Sequence, residues 1–190
     1  MADSAQVREF FEQHAGRWDQ MHQGFYSTDV IDALAAHSAL GPQAHLVDVG
    51  TGTGFIASGL AARAGRVTGT DVSQAMLTQA RANLGELGIG NVALVEASAG
   101  RLPLADGSAD AAVANMVLHH APDPAAMIAE MTRVVRRGGT VAITDCAEHG
   151  HTWMRTEQAD LWLGFAPGQM QQFFTAAGLV GYDHAYLGTA

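Results

Sequence analysis

Between His45 and Leu60 the chain reads HLVDVGTGTGFIASGL, and that stretch leaves few folds open. An apolar run, Leu46-Val47 and Val49, is broken by Asp48. Glycines follow at alternate positions, Gly50, Gly52 and Gly54, and then Phe55, Ile56 and Leu60 recur at helical spacing among small residues. The pattern predicts a strand, a glycine turn and a helix. Glycines let the backbone turn tightly and let a ligand approach main-chain N–H groups. The helix aims its N-terminus at the same place. By itself the loop does not say what it holds.

The neighbouring residues narrow the ligand. A nucleoside-triphosphate P-loop places a Lys on the phosphates, and this chain has no Lys. A dinucleotide loop reads G-x-G-x-x-G, whereas Phe55 stands where the last glycine belongs. The pattern D-x-G-x-G-x-G resembles motif I of the class I S-adenosylmethionine (SAM) methyltransferases. After the helix, Arg66-Val67-Thr68-Gly69-Thr70-Asp71 predicts a second strand ending in an acid. An acid about twenty residues beyond such a loop accepts hydrogen bonds from ribose hydroxyls, which suits NAD as well as SAM. The continuation Asp71-Val72-Ser73-Gln74-Ala75-Met76-Leu77 separates the two. D-x-S-x-x-M-L opening a helix is similar to the methyltransferase family, with Ser73 as N-cap.

Alternating strands and helices continue along the chain, which predicts an α/β fold with a doubly wound, mostly parallel sheet. Ser73 to Leu84 carries Met76, Leu77, Ala80 and Leu84 on one stripe, a face to bury on a sheet. Asn91 to Val95 reads as strand three, Ala109 to Asn115 as strand four and Thr140 to Thr144 as strand five. Asp123-Pro124 is a helix start with Pro at its first position. Met127, Ile128, Met131, Val134 and Val135 form that helix's apolar face, with Gly138-Gly139 expected to end it. A helix near Gly168 to Ala177 precedes a last candidate strand, Val180 to Leu187. The family's sheet usually has seven strands, the last antiparallel. Too few residues follow Leu187 for that strand, so a six-stranded sheet or a trimmed end is expected. Pairing of the exposed edge with a second copy is the next choice.

The N-terminal residues 1–42 are expected to form a helical lid and residues 43–190 a Rossmann-like core, in one domain. Ser4 to His14 has Val7, Phe10, Phe11 and His14 on one face. A second helix runs roughly from Asp29 to Leu40, and Trp18, Phe25 and Tyr26 lie between the two. The net charge of −9 disfavours phosphate backbones, so nucleic acid is an unexpected partner. A single cysteine, Cys146, allows no internal disulfide. There is no signal-like start and no apolar run of membrane-spanning length. A cytoplasmic, bacterial protein with no membrane partner, monomeric or homodimeric, is expected.

The resemblance to class I methyltransferases, of the type that includes the ubiquinone/menaquinone C-methyltransferases, covers about Val7 to Leu179. It implies SAM as cofactor and S-adenosylhomocysteine as product. It assigns cofactor binding to Asp48, Gly50, Thr51, Gly52, Gly54, Asp71, Val72, Met76, Ser98, Ala99 and Asn115. The family often has an Asp on the adenine amino group where this chain has Ser98, which accepts a hydrogen bond without charge assistance. Further on, the residues from His151 through Met154-Arg155, Glu157, Ala159-Asp160 and Trp162-Leu163-Gly164-Phe165 resemble bacterial methyltransferase domains often fused to ArsR-type repressors.

Transfer from a sulfonium is an in-line displacement in which the protein mainly aligns nucleophile and methyl. A base is needed only where the acceptor must lose a proton. His119 and His120 are the catalytic candidates, with Tyr26, Glu148 and His151 expected in the acceptor cavity. The sequence after strand four, Asn115-Met116-Val117-Leu118, lacks the N/D-P-P-Y/F of exocyclic base-amine methylation, and one cysteine cannot supply the ligand set of arsenite methylation. A small, partly apolar acceptor remains. Asp145, Cys146, Glu148, His149 and His151 are a dense set of possible metal ligands, but no second spaced pair accompanies them, and no metal is expected. A SAM-binding sensor or interaction module without turnover is the alternative function.

Overall fold

The computed structural model describes residues 4–21, 28–38 and 40–188. Five strands form one sheet: β1 (His45–Val49), β2 (Arg66–Asp71), β3 (Val92–Glu96), β4 (Ala109–Asn115) and β5 (Val135–Thr144). Their order is β3-β2-β1-β4-β5 and every pairing is parallel. The order reverses beside β1, so a crevice opens above the carboxyl ends of β1 and β4. The helices are α1 (Ser4–His14), α2 (Trp18–Met21), α3 (Thr28–Ala36), α4 (Phe55–Ala61), α5 (Gln74–Glu86), α6 (Pro124–Val134), α7 (Met154–Glu157) and α8 (Pro167–Ala176).

Strand alternation divides the core in two. Leu46 of β1 and Ala111 and Val113 of β4 face α3 and α4, with Val30, Leu34, Ile56, Ala57 and Leu60. Val47 and Val49 with Ala112 and Ala114 face the other way, onto Met127, Ile128, Met131 and Val134 of α6. A strand buried on both faces reads as a continuous apolar run, which is why Leu46-Val47-Asp48-Val49 shows no polar alternation except at Asp48. The expected caps form: Met76 N–H donates to Ser73 Oγ at 3.2 Å and Ala126 N–H to Asp123 Oδ1 at 3.0 Å.

Two expectations are corrected. The helix after Asp123 ends at Val134, not at Gly138-Gly139, because Val135 is already extended (φ −82, ψ 133) and starts β5. Extra residues bulge out there, since Ala109 faces Val135 while Ala111 faces Thr140. Val180 to Leu187 is not a strand. Gly181 sits at φ +72, outside extended space, and Val180 is 94% exposed. Among the described residues the sheet therefore has five strands, not six, and β5 stands at its edge.

The connection from β3 to β4 is fixed by one side chain of α6. Arg133 donates to Leu102 O, Leu104 O, Asp106 and both oxygens of Glu130, and Glu130 accepts the Leu102 N–H. This holds the loop that carries Ala97 to Gly100 against the crevice. Arg133→Ala is expected to lower stability by about 1–2 kcal/mol, since the group is partly solvated and charged hydrogen bonds there are discounted. The midpoint of urea unfolding should fall with the slope unchanged.

Candidate functional site

The crevice is a cavity of about 460 Å³ above β1 and β4, within the range of small-ligand sites. Its first end is the glycine loop. Gly50, Gly52 and Gly54 all have positive φ (70°, 53° and 89°). Their surroundings differ. A Cβ on Gly50 would lie 2.4 Å from Val117 Cγ2, one on Gly54 would touch Ala80 of α5 at 3.4 Å, and one on Gly52 would meet nothing within 4 Å. Gly52 thus faces open cavity, while Gly50 lets the loop approach Val117 and Gly54 lets α4 approach α5. Asp71, at the end of β2, closes the loop from the side. Its Oδ2 accepts Gly52 N–H at 2.9 Å and its Oδ1 accepts Ser73 N–H at 2.9 Å.

Two carboxyls at this end are buried. Burial pushes Asp48 up to about 7, against the hydrogen bonds from Thr51 Oγ1 (2.7 Å) and the Ala57 N–H. Burial also raises Asp71, against the Ser73 and Gly52 N–H groups. A cation or a hydroxyl-rich ligand beside them would favour the ionised forms.

The other end is built where β4 and β5 stop. Asp145, just beyond β5, reaches across to the 3-10 turn Leu118–His120. It accepts Leu118 N–H on Oδ2 at 2.9 Å and holds His119 Nδ1 at 2.7 Å on Oδ1. His119 Nε2 points to Asp160 Oδ1 at 3.7 Å, and His120 Nδ1 lies 3.9 Å from the same oxygen. Burial pulls the His119 imidazole down, but Asp145, by charge and hydrogen bond, and Asp160 outweigh it and hold the ring above its usual value. Asp160 is raised by burial, against the attraction of His119 and His149.

The N-terminal helices cover the cavity. Val7, Phe11 and Trp18 line it, and Phe11 meets the His120 ring edge-on at 4.9 Å. Polar contacts fasten the cover. Asp19 accepts Thr53 Oγ1–H at 2.6 Å and Asn83 Nδ2–H at 3.0 Å, Glu12 accepts Gln74 N–H at 2.8 Å, and Arg8 pairs with Glu96 at 3.2 Å.

Of the residues singled out from sequence, Asp48, Gly50, Thr51, Gly52, Asp71, Val72, Met76, Ser98, Ala99, Asn115, His119 and His120 line this one cavity. Gly54 does not; it caps α4 instead. Glu148 and His151 are exposed and stand off the lining. Glu148 and His149 pair through their N–H groups with Phe165 O and Leu163 O, which carries the segment across the surface. Tyr26 lies outside the described residues. Sequence reasoning missed the role of Asp160, and also Trp153, Met154 and Gln158 on the wall. Their one signal was a clustered run of polar and aromatic residues after β5.

The methyltransferase domain family matches residues 47–143, half of the chain. An arsenite methyltransferase of Halobacterium salinarum is 33% identical over 60% of this chain and 30% of its own length. A ubiquinone biosynthesis O-methyltransferase of Methylococcus capsulatus is 32% identical over 70% of this chain and 58% of its own. The chain spans about a third of the length of the first curated relatives it matches. A SAM-dependent methyltransferase from Aquifex aeolicus superposes with a TM-score of 0.68 at 19% identity, covering 93% of this chain and 88% of that one. Its likeness is one of fold.

Proposed function

The chain belongs to the methyltransferase domain family, a family of SAM-dependent enzymes, and on that premise we propose that it methylates a small, flat, partly apolar molecule bearing an ionisable hydroxyl. The observation that carries this reading is the single cavity joining the glycine loop to the His119–His120–Asp160 cluster. The cofactor, SAM, fits the first end. Gly52 leaves space where any side chain would intrude, Asp71 stands beside it for the ribose, and Asp48 offers a carboxyl to a cationic group. Bound there, the sulfonium supplies an activated methyl whose bonding electrons stay with sulfur on transfer.

The chain's own part is alignment and exclusion of water. Phe11, Trp18, Met116, Trp153 and Met154 supply an apolar wall for a flat acceptor. His119, fixed by Asp145, presents Nε2 to the acceptor end, where it would take a hydroxyl proton. The ubiquinone O-methyltransferase relative supports a phenol or hydroquinone as acceptor. Arsenite fits less well, because the one thiol, Cys146, is pushed up to about 11 by burial. Helices α1 and α2, which bring Val7, Phe11, Trp18 and Met21 to the cavity, act as the lid, whereas α3 packs with α4 in the core.

Incubation with SAM and a panel of phenols, hydroquinones, amines and thiols tests the proposal, read as S-adenosylhomocysteine release and methylated product. Product from the hydroxyl compounds is expected. S-adenosylhomocysteine binding with no product from any class would favour the sensor reading, and methylation confined to thiols or amines would overturn the acceptor assignment.

Two further outcomes are expected. Asp71→Ala should weaken S-adenosylhomocysteine binding by roughly 1.5–3 kcal/mol, the worth of charged hydrogen bonds, and unchanged calorimetric affinity would remove the ribose assignment. Cofactor affinity should also depend on pH through Asp48. Its folded carboxyl titrates at about 7, above its unfolded value. A cationic ligand favours the ionised form, so affinity should fall as pH drops from 8 to 6. The ligand-free fold should lose stability as pH rises from about 4 through 7, since the folded carboxyl holds its proton more tightly than the unfolded one. Asp48→Asn should flatten both dependences; profiles as steep as those of the unsubstituted protein would exclude Asp48 as their source.

A further inference from the structure

We propose that His119, His120 and Asp160 bind one divalent transition-metal ion of the Zn²⁺ class at the acceptor end of the cavity. The proposal rests on the placement of the acceptor there, but its readout is the ion itself. One nitrogen from each ring and one Asp160 oxygen lie within 4.8 Å of one another, and all three residues are buried.

Asp160 Oδ1 is the atom that asks for a ligand. Its side chain is 2% exposed and this oxygen has no hydrogen-bond partner. A desolvated carboxylate oxygen is costly unless it is paired or coordinates a metal. The two imidazole nitrogens stand 3.7 and 3.9 Å from it, beyond hydrogen-bond reach. Two donors on a tetrahedral zinc, each about 2.0–2.2 Å away, stand roughly 3.3–3.6 Å apart. The gap at Asp160 therefore fits an ion after a shift of a few tenths of an ångström.

The backbone is arranged to keep that aim. Ala159 has φ +60, a conformation a non-glycine residue adopts at a cost. It is held by Leu161 N–H and Trp162 N–H, both donating to His119 O at 3.0 Å, and by Trp162 Nε1–H to Ala121 O at 3.0 Å. Asp160 is thereby clamped onto the turn that carries the two histidines.

The surrounding shell also suits a metal. His119 Nδ1 is engaged by Asp145 at 2.7 Å, which leaves Nε2 for the ion. With the ion bound, Nε2 no longer serves as base, and the ion would instead favour the ionised acceptor hydroxyl, whose proton is released to water. A carboxylate behind a metal-binding His fixes the ring and raises its basicity. His120 Nδ1 is 3.2 Å from Ala159 O, a contact it would exchange for the ion. A competing set, His119, Asp145 and Cys146, would need the Asp145–His119 bond to be given up. Three protein ligands leave an open position toward the cavity, where an acceptor oxygen would bind. The residues differ from the Asp145–His151 run that the sequence offered, since Glu148 and His151 face solvent.

Titration of the metal-free protein, with S-adenosylhomocysteine present, with Co²⁺ by visible absorption and with Zn²⁺ by calorimetry tests the site. One ion per chain is expected. Asp160→Ala, the isosteric Asp160→Asn and His120→Ala should each weaken Zn²⁺ binding at least tenfold, and Asp145→Asn by about 10–100-fold. Cys146→Ser and His151→Gln should leave it unchanged. S-adenosylhomocysteine affinity, measured in each variant, confirms that the fold is intact. Absence of a stoichiometric ion, undiminished binding in both Asp160 variants, or loss that follows Cys146→Ser or His151→Gln would overturn the proposal. Failure of S-adenosylhomocysteine to bind the unsubstituted protein would count against the cofactor reading and leave the ion titration standing.

Discussion

Gly52→Val should abolish S-adenosylhomocysteine binding while leaving a folded protein. Gly52 is the one glycine of the loop whose missing side chain faces open cavity, with nothing within 4 Å of a Cβ placed there. The isopropyl group would therefore fill ligand space and not protein space. A β-branched residue at φ +53 adds strain of about 1–2 kcal/mol, which a domain of this size should survive. Affinity should fall by more than about 100-fold, roughly 3 kcal/mol, with only a modest drop in the unfolding midpoint. Gly50→Val is the contrast. Its Cβ would already lie 2.4 Å from Val117, so that variant should fail by instability. Normal binding by Gly52→Val would mean that the ligand lies elsewhere.

The strands were legible where physics left them little choice. Leu46 to Val49 and Ala111 to Ala114 are buried on both faces, and apart from Asp48 only β-forming or small residues fill these positions. The caps at Ser73 and Asp123 were legible because a side-chain oxygen before an apolar helical repeat has few other uses. The end of α6 was not. Gly138-Gly139 looked like a helix stop, but the tertiary pairing of Val135 with Ala109 wins over the local signal. Val180 to Leu187 had the composition of a strand without a partner to pair with, and strand formation is a property of the pair.

At the site, the glycine-loop end of the cavity could be read because its glycines and acids are close in sequence to the strands that carry them. At the other end only His119 and His120 could be read; Asp160 was missed, because it reaches His119 from 41 positions away through a strained turn at Ala159. No spacing rule encodes that meeting. Glu148 and His151 show the converse: polar residues adjacent to a strand end were carried outward by the backbone pairing of Glu148 and His149.

The histidine pair should separate acceptor chemistry from cofactor binding. His119→Gln keeps a polar side chain of similar reach beside Asp145, so the buried Asp145 and Asp160 carboxylates are less exposed to the penalty that an alanine would leave. It removes the ring nitrogen that would take or hold the acceptor's proton. Turnover on the true acceptor should fall by about 10²–10⁴-fold, the usual worth of a positioned acid–base group. His120→Ala removes the ring that Phe11 meets edge-on at 4.9 Å and should act more through acceptor fit, raising KM. In both, S-adenosylhomocysteine affinity should stay nearly intact, since both rings lie at the opposite end of the cavity from Asp71 and Gly52. Single-turnover rates with saturating SAM, set beside calorimetry, give the split. If both variants turn over normally, the acceptor lies on the other side of β4 and the buried Asp145–His119–Asp160 array is structural.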